Sequence, residues 1–236
     1  VKASYRNPDL KVMSNPVVGR RYGLASWVFL VLAIVLQGPA WILVWPGMSC
    51  AVVAWGYICG GAVIYGKTNG RVGFLSVLIL LPTLAGQWAS LIYYRRKTTL
   101  ADEVLPGLLL GRLPSNKEAA QLVDQGVGRV LDLTAEFSRP GPFQHVQYLN
   151  LAVPDLTAPT PEQMERGIQF IKAGLDAGET VYVHCKVGYS RSGAVVGVAL
   201  MFMGVVASPE DAVAWLQTKR PGIVLRPEAV QSLKAL

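Results

Sequence analysis

Acidic side chains are almost missing from the first 97 positions, where Asp9 is the sole one. Positions 24–66 and 72–94 contain no Asp, Glu, Lys, Arg or His. Runs of that length and polarity exceed what the buried core helices of a soluble protein need. Cysteine is scarce, three in 236 residues, which excludes a disulfide framework. Charged residues make up only 16% of the chain and hydrophobic ones 52%, which excludes intrinsic disorder. Histidine occurs twice, at His145 and His184, with no second His beside either to share a metal.

The net charge of +7 is unevenly placed. Positions 1–97 carry ten Lys or Arg against one acid, whereas positions 98–236 carry twelve against fourteen. The basic character belongs to the apolar part and the remainder is mildly acidic, so a basic groove for nucleic acid is excluded.

The apolar part predicts about three transmembrane helices, over 24–45, 48–66 and 72–94. Trp45-Pro46-Gly47 reads as the turn between the first two. Pro39 and Pro82 then lie inside spans, as kinks that membrane helices tolerate. Trp41, Trp45, Tyr93 and Tyr94 fall near span ends, as interfacial aromatics do. A signal peptide fails on length and on the repetition of the pattern. Three full crossings favour a cytoplasmic N-terminus with the C-terminal part outside; one re-entrant segment puts every basic cluster on the cytoplasmic side. Spans without one charge argue against a transport path. Cys50 and Cys59, in the second span, read as small apolar fillers.

From position 98 onward, strand and helix signals alternate. Strands are expected at 108–111, 129–133, 146–153 and 180–184. Helices are expected after Pro114-Ser115-Asn116, after the capping box Thr160-Pro161-Glu162-Gln163, over 192–203, after Ser208-Pro209, and from Pro227-Glu228, the last cut short at Leu236. The fold class is therefore α/β: N-terminal transmembrane helices over 1–97, then a domain over 98–236 whose central sheet is flanked by helices.

The chemistry lies in His184-Cys185-Lys186-Val187-Gly188-Tyr189-Ser190-Arg191-Ser192. A strand delivers Cys185 to the sheet edge, five residues loop round, and Arg191 opens a helix. Converging loop N–H groups and the helix N-terminus form an anion cradle. Gly188 lets the backbone bend, and the planar fork of Arg191 grips two phosphate oxygens. The same field favours a thiolate at Cys185, a nucleophile for phosphoryl transfer. Asp155, in Val153-Pro154-Asp155, is placed to protonate the leaving alkoxide and then to activate water. The Ser192 hydroxyl can donate to the sulfur. Asp132 is the rival acid but reads as a strand-end residue; Asp102 and Glu103 read as a solvated linker, and His145 as a surface residue.

Cys-x5-Arg-Ser, preceded by His and a strand, resembles the protein tyrosine phosphatase superfamily, and the loop resembles its dual-specificity branch. Leu108-Leu109-Leu110-Gly111, Val153-Pro154-Asp155 and Lys219-Arg220-Pro221-Gly222 agree. The resemblance implies Cys185 as nucleophile, Arg191 as phosphate clamp and Asp155 as general acid. It makes Lys186, Val187, Gly188, Tyr189 and Ser190 the rest of the phosphate loop, with His184 bracing it by hydrogen bonds. It implies no metal or other cofactor.

The expected function is hydrolysis of phosphomonoesters through a phosphocysteine, on phosphoprotein first. The alternative is a phospholipid head group, a phosphoinositide or phosphatidylglycerophosphate, since Cys185-Lys186 resembles the start of lipid phosphatase loops. A non-catalytic phosphate-binding module is a further alternative, against which Cys185, Arg191 and Asp155 all speak. The expected surroundings are a lipid bilayer, with the phosphatase part on the cytoplasmic face, where a reactive thiolate stays reduced.

Overall fold

A computed structural model describes residues 14–225. The chain opens with α1 (Pro16–Leu36), α2 (Val44–Trp55) and α3 (Phe74–Arg95). Short irregular helical turns flank α2, so that Gly38–Tyr65 forms one continuous apolar segment. α1, this segment and α3 are each long and apolar enough to cross a membrane.

The breaks differ from the sequence expectation. α1 starts eight residues before position 24, because Asn15 caps it by accepting from Val18 N and Pro16 sits in the first turn. It therefore includes Arg20 and Arg21. The first turn falls at Gln37 and Gly38, both with positive φ, directly before Pro39. Pro39 thus sits in the first turn of the second apolar segment and does not kink the first span. Trp45-Pro46-Gly47 lies in the first turn of α2, where a proline removes no hydrogen bond that the helix would make. Gly47 is needed there for contact, since a Cβ would sit 2.9 Å from Leu30 of α1. Small residues permit such close helix approach in apolar surroundings. Pro82 does lie inside α3. The Thr83 hydroxyl beside it bonds Leu80 O and pairs with the Ser49 hydroxyl of α2 at 2.9 Å.

The rest of the chain is an α/β unit. Its strands are β1 (Ala101–Leu105), β2 (Leu108–Arg112), β3 (Val127–Thr134), β4 (Gln147–Val153) and β5 (Thr180–Cys185). Their order is β1-β2-β5-β3-β4; β1 pairs antiparallel with β2, and the other pairings are parallel. α5 (Pro161–Asp176), α6 (Arg191–Phe202) and α7 (Pro209–Lys219) pack their apolar residues against Leu131, Leu151, Val181 and Val183. α4 (Asn116–Asp124) covers other sheet residues, among them Val130 and Tyr182. The capping box at Thr160 forms, with Gln163 completing it. Asp102 and Glu103, a solvated linker by sequence, lie in β1, an edge strand, which tolerates charged residues. The helix expected from Pro227 lies outside the described residues.

The parallel strands decide where chemistry can occur. β3, β4 and β5 all run the same way, so the chain leaves each of them at one edge of the sheet. Glu136, Asp155 and Cys185 are set at that edge, two residues after β3, two after β4 and at the end of β5. Ligands of open α/β sheets bind at this edge.

The apolar helices pack on the same edge rather than standing off on a tether. Val18, Val53, Tyr57, Tyr65, Leu80 and Leu84 form one buried cluster with Ala135 of the β3 exit, and Ala152 and Leu156 pack against it. Leu91 is buried with Leu113 and Phe137. Hydrogen bonds join the two parts: Val72 N to the Ser138 hydroxyl, the Tyr57 hydroxyl to Asp155 O, the Asn15 amide to Leu156 O, and Arg95 to Leu113 O. Lys67, between α2 and α3, is buried to 1% exposure and donates to Asp132 Oδ2 at 2.7 Å and to Thr134 O at 2.7 Å.

Candidate active site

Cys185 ends the central strand β5, and Arg191 begins α6. The six-residue separation folds the loop into a ring around the sulfur. Gly188 N and the Ser192 hydroxyl both donate to Cys185 Sγ, at 3.3 and 3.2 Å. Gly188 is the loop's fixed glycine for two reasons. Its φ is +79°, and a Cβ there would lie 2.4 Å from Gly111 O. Burial pushes the Cys185 thiol up, but the Arg191 charge and the donors from Ser192 and Gly188 outweigh this and hold it below the ordinary thiol range.

The Arg191 guanidinium is aimed by a carboxylate that the sequence reading did not single out. Glu136 takes both of its ends in a fork, at 3.0 and 2.9 Å, and Val153 O takes Nη1 at 2.7 Å. Both side chains are buried, Glu136 completely. The available signal was positional: a carboxylate two residues beyond one parallel strand shares an edge with an arginine after its neighbour. Asp155 Oδ1 accepts at 3.1 Å from Arg191 Nη2, the nitrogen that also donates to Glu136 Oε1, and its Oδ2 accepts from Lys186 Nζ at 3.2 Å.

Burial raises the Asp155 carboxyl, but Arg191 and Lys186 pull it down further and hold it below the ordinary carboxylate range. An arriving phosphate dianion competes for the Arg191 fork and brings negative charge to Asp155. Both effects raise its affinity for a proton, which gives it the form a general acid needs.

Cys185, Lys186, Val187, Tyr189, Ser190, Arg191 and Asp155 line one cavity of about 550 Å³. Thiol and guanidinium thus open on the same space, large enough for a phosphoryl group and its carrier. Ser90 and Tyr94 of α3 form another part of its wall, and Val224 and Leu225 a third.

Loop bracing involves more than His184. His184 is expected to brace the loop by hydrogen bonds; its ring nitrogens meet full hydrogen-bond geometry with none of the described residues, but the Cys185 backbone lies close enough to favour its charged form. Its nearest acid oxygen, on Asp132, is 3.9 Å from Nδ1 because Asp132 spends its oxygens on Thr134, Tyr148 and Lys67. The ring instead stacks on Tyr182 with centroids 5.4 Å apart. Burial keeps the imidazole's pKa down and the ring neutral at pH 7. The bracing cation is Arg220, which donates to Gly188 O at 3.0 Å and to Val187 O at 2.9 Å. It also pairs with Asp102, so Asp102 is a loop support in β1 and not a solvated linker residue. Tyr189 lies over the Arg220 guanidinium at 5.5 Å. His145 is exposed, as expected.

Asp155→Ala separates acid catalysis from binding. Turnover of an alkyl phosphate is expected to fall by about 10²–10⁴-fold, and that of a nitrophenyl phosphate by far less, because a good leaving group departs without a proton. Equal losses on the two substrates would assign the proton to another group.

Known proteins resemble the same part of the chain. Residues 108–236 match the family model described as "Dual specificity phosphatase, catalytic domain". The human "Phosphatidylglycerophosphatase and protein-tyrosine phosphatase 1" is 34% identical over 139 residues, covering 55% of this chain and 69% of the relative. The Arabidopsis thaliana "Phosphatidylglycerophosphate phosphatase PTPMT1" is 29% identical over 130 residues, covering 52% of this chain and 38% of that protein. Among solved structures, PTPMT1 in complex with PI(5)P superposes with a TM-score of 0.53 at 29% identity, over 58% of this chain and 94% of that one. The helices before position 108 lie outside the family match. With its thiol and its guanidinium on one cavity and more than half of its length in the match, the chain belongs to the dual-specificity phosphatase family, within the protein tyrosine phosphatase superfamily.

Proposed function

We propose that this phosphatase removes the monoester phosphate from a phospholipid head group at the surface of a bilayer, with Cys185 as nucleophile. Arg191 and the loop from Lys186 to Ser190 hold the phosphate. Attack by the sulfur breaks the P–O ester bond and makes a phosphocysteine, while Asp155 gives its proton to the departing alkoxide. Asp155 then takes a proton from water, which attacks phosphorus. The sulfur leaves as a thiolate stabilised by the Ser192 hydroxyl.

The observation that carries this reading is the wall of the cavity. Ser90 and Tyr94 belong to an apolar helix whose other side exposes Phe74, Leu75, Leu78 and Ile92. A substrate reaching Cys185 passes along a surface built for lipid. The relatives named for phosphatidylglycerophosphate, and the related structure holding PI(5)P, favour a lipid head group over the phosphoprotein expected first.

The helices also bear on topology. Lys67, before α3, and Arg95, at its end, both bond to the phosphatase part. This supports a re-entrant or surface-lying α3 over three independent crossings, an arrangement in which every basic cluster falls on one face. A cytoplasmic face fits that count and the oxidation-prone thiolate.

Turnover of a substrate panel by the full chain tests the reading. Phosphatidylglycerophosphate and phosphoinositides in vesicles are expected to give kcat/KM at least tenfold above phosphotyrosine and phosphothreonine peptides. A preference for the peptides would restore the phosphoprotein reading, which the human relative's second name, protein-tyrosine phosphatase, keeps in view.

A further inference from the structure

The helix α3 carries a single long polar side chain before Arg95, that of Gln87. An amide in such an apolar helix is costly unless it is hydrogen-bonded, and polar groups in membrane helices tend to mark function. Gln87, Ser90 and Tyr94 are spaced three and four apart, so they lie along one stripe of the helix. Ser90 and Tyr94 line the catalytic cavity. Gln87 Oε1 accepts from Lys186 Nζ at 2.5 Å. Lys186 is the residue after the nucleophile, is 5% exposed, and also donates to Asp155 Oδ2 at 3.2 Å. The helix thus reaches into the phosphate loop through one hydrogen bond, from a residue that the matched phosphatase domain does not contain.

We infer that Gln87 is a specificity-determining positioning residue: it fixes Lys186 beside the cavity so that the ammonium meets a second anionic group on the substrate head group. The inference rests on the lipid reading above. Without Gln87, the flexible lysine has Asp155 as its remaining acceptor among the described residues and follows that carboxylate when phosphate displaces it from Arg191. With Gln87, the ammonium keeps an anchor that does not move with the acid. A lysine is a point charge on a four-carbon stem, and anchoring it in advance lowers the ordering cost of using it. The substrates that profit are those with a second negative charge a few bonds from the cleaved phosphate, as in the phosphodiester of phosphatidylglycerophosphate. An aryl phosphate has no such group.

The test is a double-mutant cycle on the full chain in mixed micelles, with Gln87→Leu, Lys186→Met and the double variant. Substrates are phosphatidylglycerophosphate and p-nitrophenyl phosphate. Gln87→Leu is expected to raise KM for the lipid about tenfold more than KM for the aryl phosphate, with kcat for the lipid changing by less than about threefold. Adding it to Lys186→Met is expected to bring no further loss. Equal effects on the two substrates, a loss confined to kcat, or full additivity of the two substitutions would overturn the inference. An unsubstituted chain that cleaves the aryl phosphate but no lipid would overturn the lipid reading instead. Additivity measured on the aryl phosphate would then still reject the link between Gln87 and Lys186.

Discussion

Cys185→Ser is expected to lower phosphomonoester turnover by about four orders of magnitude or more, with the fold kept. The hydroxyl fills nearly the same space as the thiol, and Gly188 N and Ser192 can still donate to it. What is lost is the anion. Arg191, Ser192 and Gly188 hold the thiol below its ordinary range, whereas a serine hydroxyl starts many units higher. Phosphate binding should survive, because Arg191 and the loop amides are untouched. Turnover is read with any phosphomonoester the native chain cleaves, and binding by competition with vanadate. Activity within tenfold of native would exclude Cys185 as the nucleophile. Iodoacetate alkylation reports the same electrostatics: its rate in the native chain should reach half-maximum below the ordinary thiol range, and Arg191→Lys should move that midpoint upward.

Lys67→Met is expected to cost about 3–5 kcal/mol of stability, a large share of what a domain has. The substitution leaves Asp132 as an unpaired carboxylate with 0% exposure in the middle of the sheet edge. Burial pushes the Asp132 carboxyl up, but Lys67 and His184 outweigh it and hold the group at about 2. The pair therefore contributes its full stability above the ordinary carboxylate range and loses it as pH falls toward 2. Chemical unfolding in detergent reads the cost, and Lys67→Met with Asp132→Asn should recover most of it by removing the stranded charge. No recovery in the double variant would mean that Lys67 acts through packing alone. The same pair bears on a chain cut to positions 98–236: such a fragment lacks Lys67 and exposes Ala135, Leu113 and Phe137, now covered by helices.

Much of the phosphatase part was legible in the sequence because its signals are local. The cap at Thr160, the alternation over 146–153 and the spacing from Cys185 to Arg191 each act within a few residues. Glu136, Arg220 and Lys67 were not legible for the opposite reason. Each acts on a residue far away in the chain: Glu136 on Arg191, Arg220 on the Val187 and Gly188 carbonyls, Lys67 on Asp132. Their partners are set by the parallel strand order and by helix docking, which hydropathy does not report. The misplaced first turn has a related cause. Trp-Pro-Gly is a turn signal in a chain at large, but Pro46 is harmless in a helix's first turn, while Gln37 and Gly38 accept the positive φ that a sharp reversal demands. Gln87 offered a readable sign, a lone amide in an apolar run, although its partner was not readable.

The most direct test of the account is to look for phosphate on sulfur. Asp155→Ala slows the water attack, while a nitrophenyl group departs without a proton, so the covalent intermediate should accumulate when this variant turns over a nitrophenyl phosphate. Acid quenching and peptide mass analysis are predicted to find one phosphoryl group on the peptide carrying Cys185. Turnover with that peptide unmodified throughout, or with phosphate on another side chain, would contradict the mechanism.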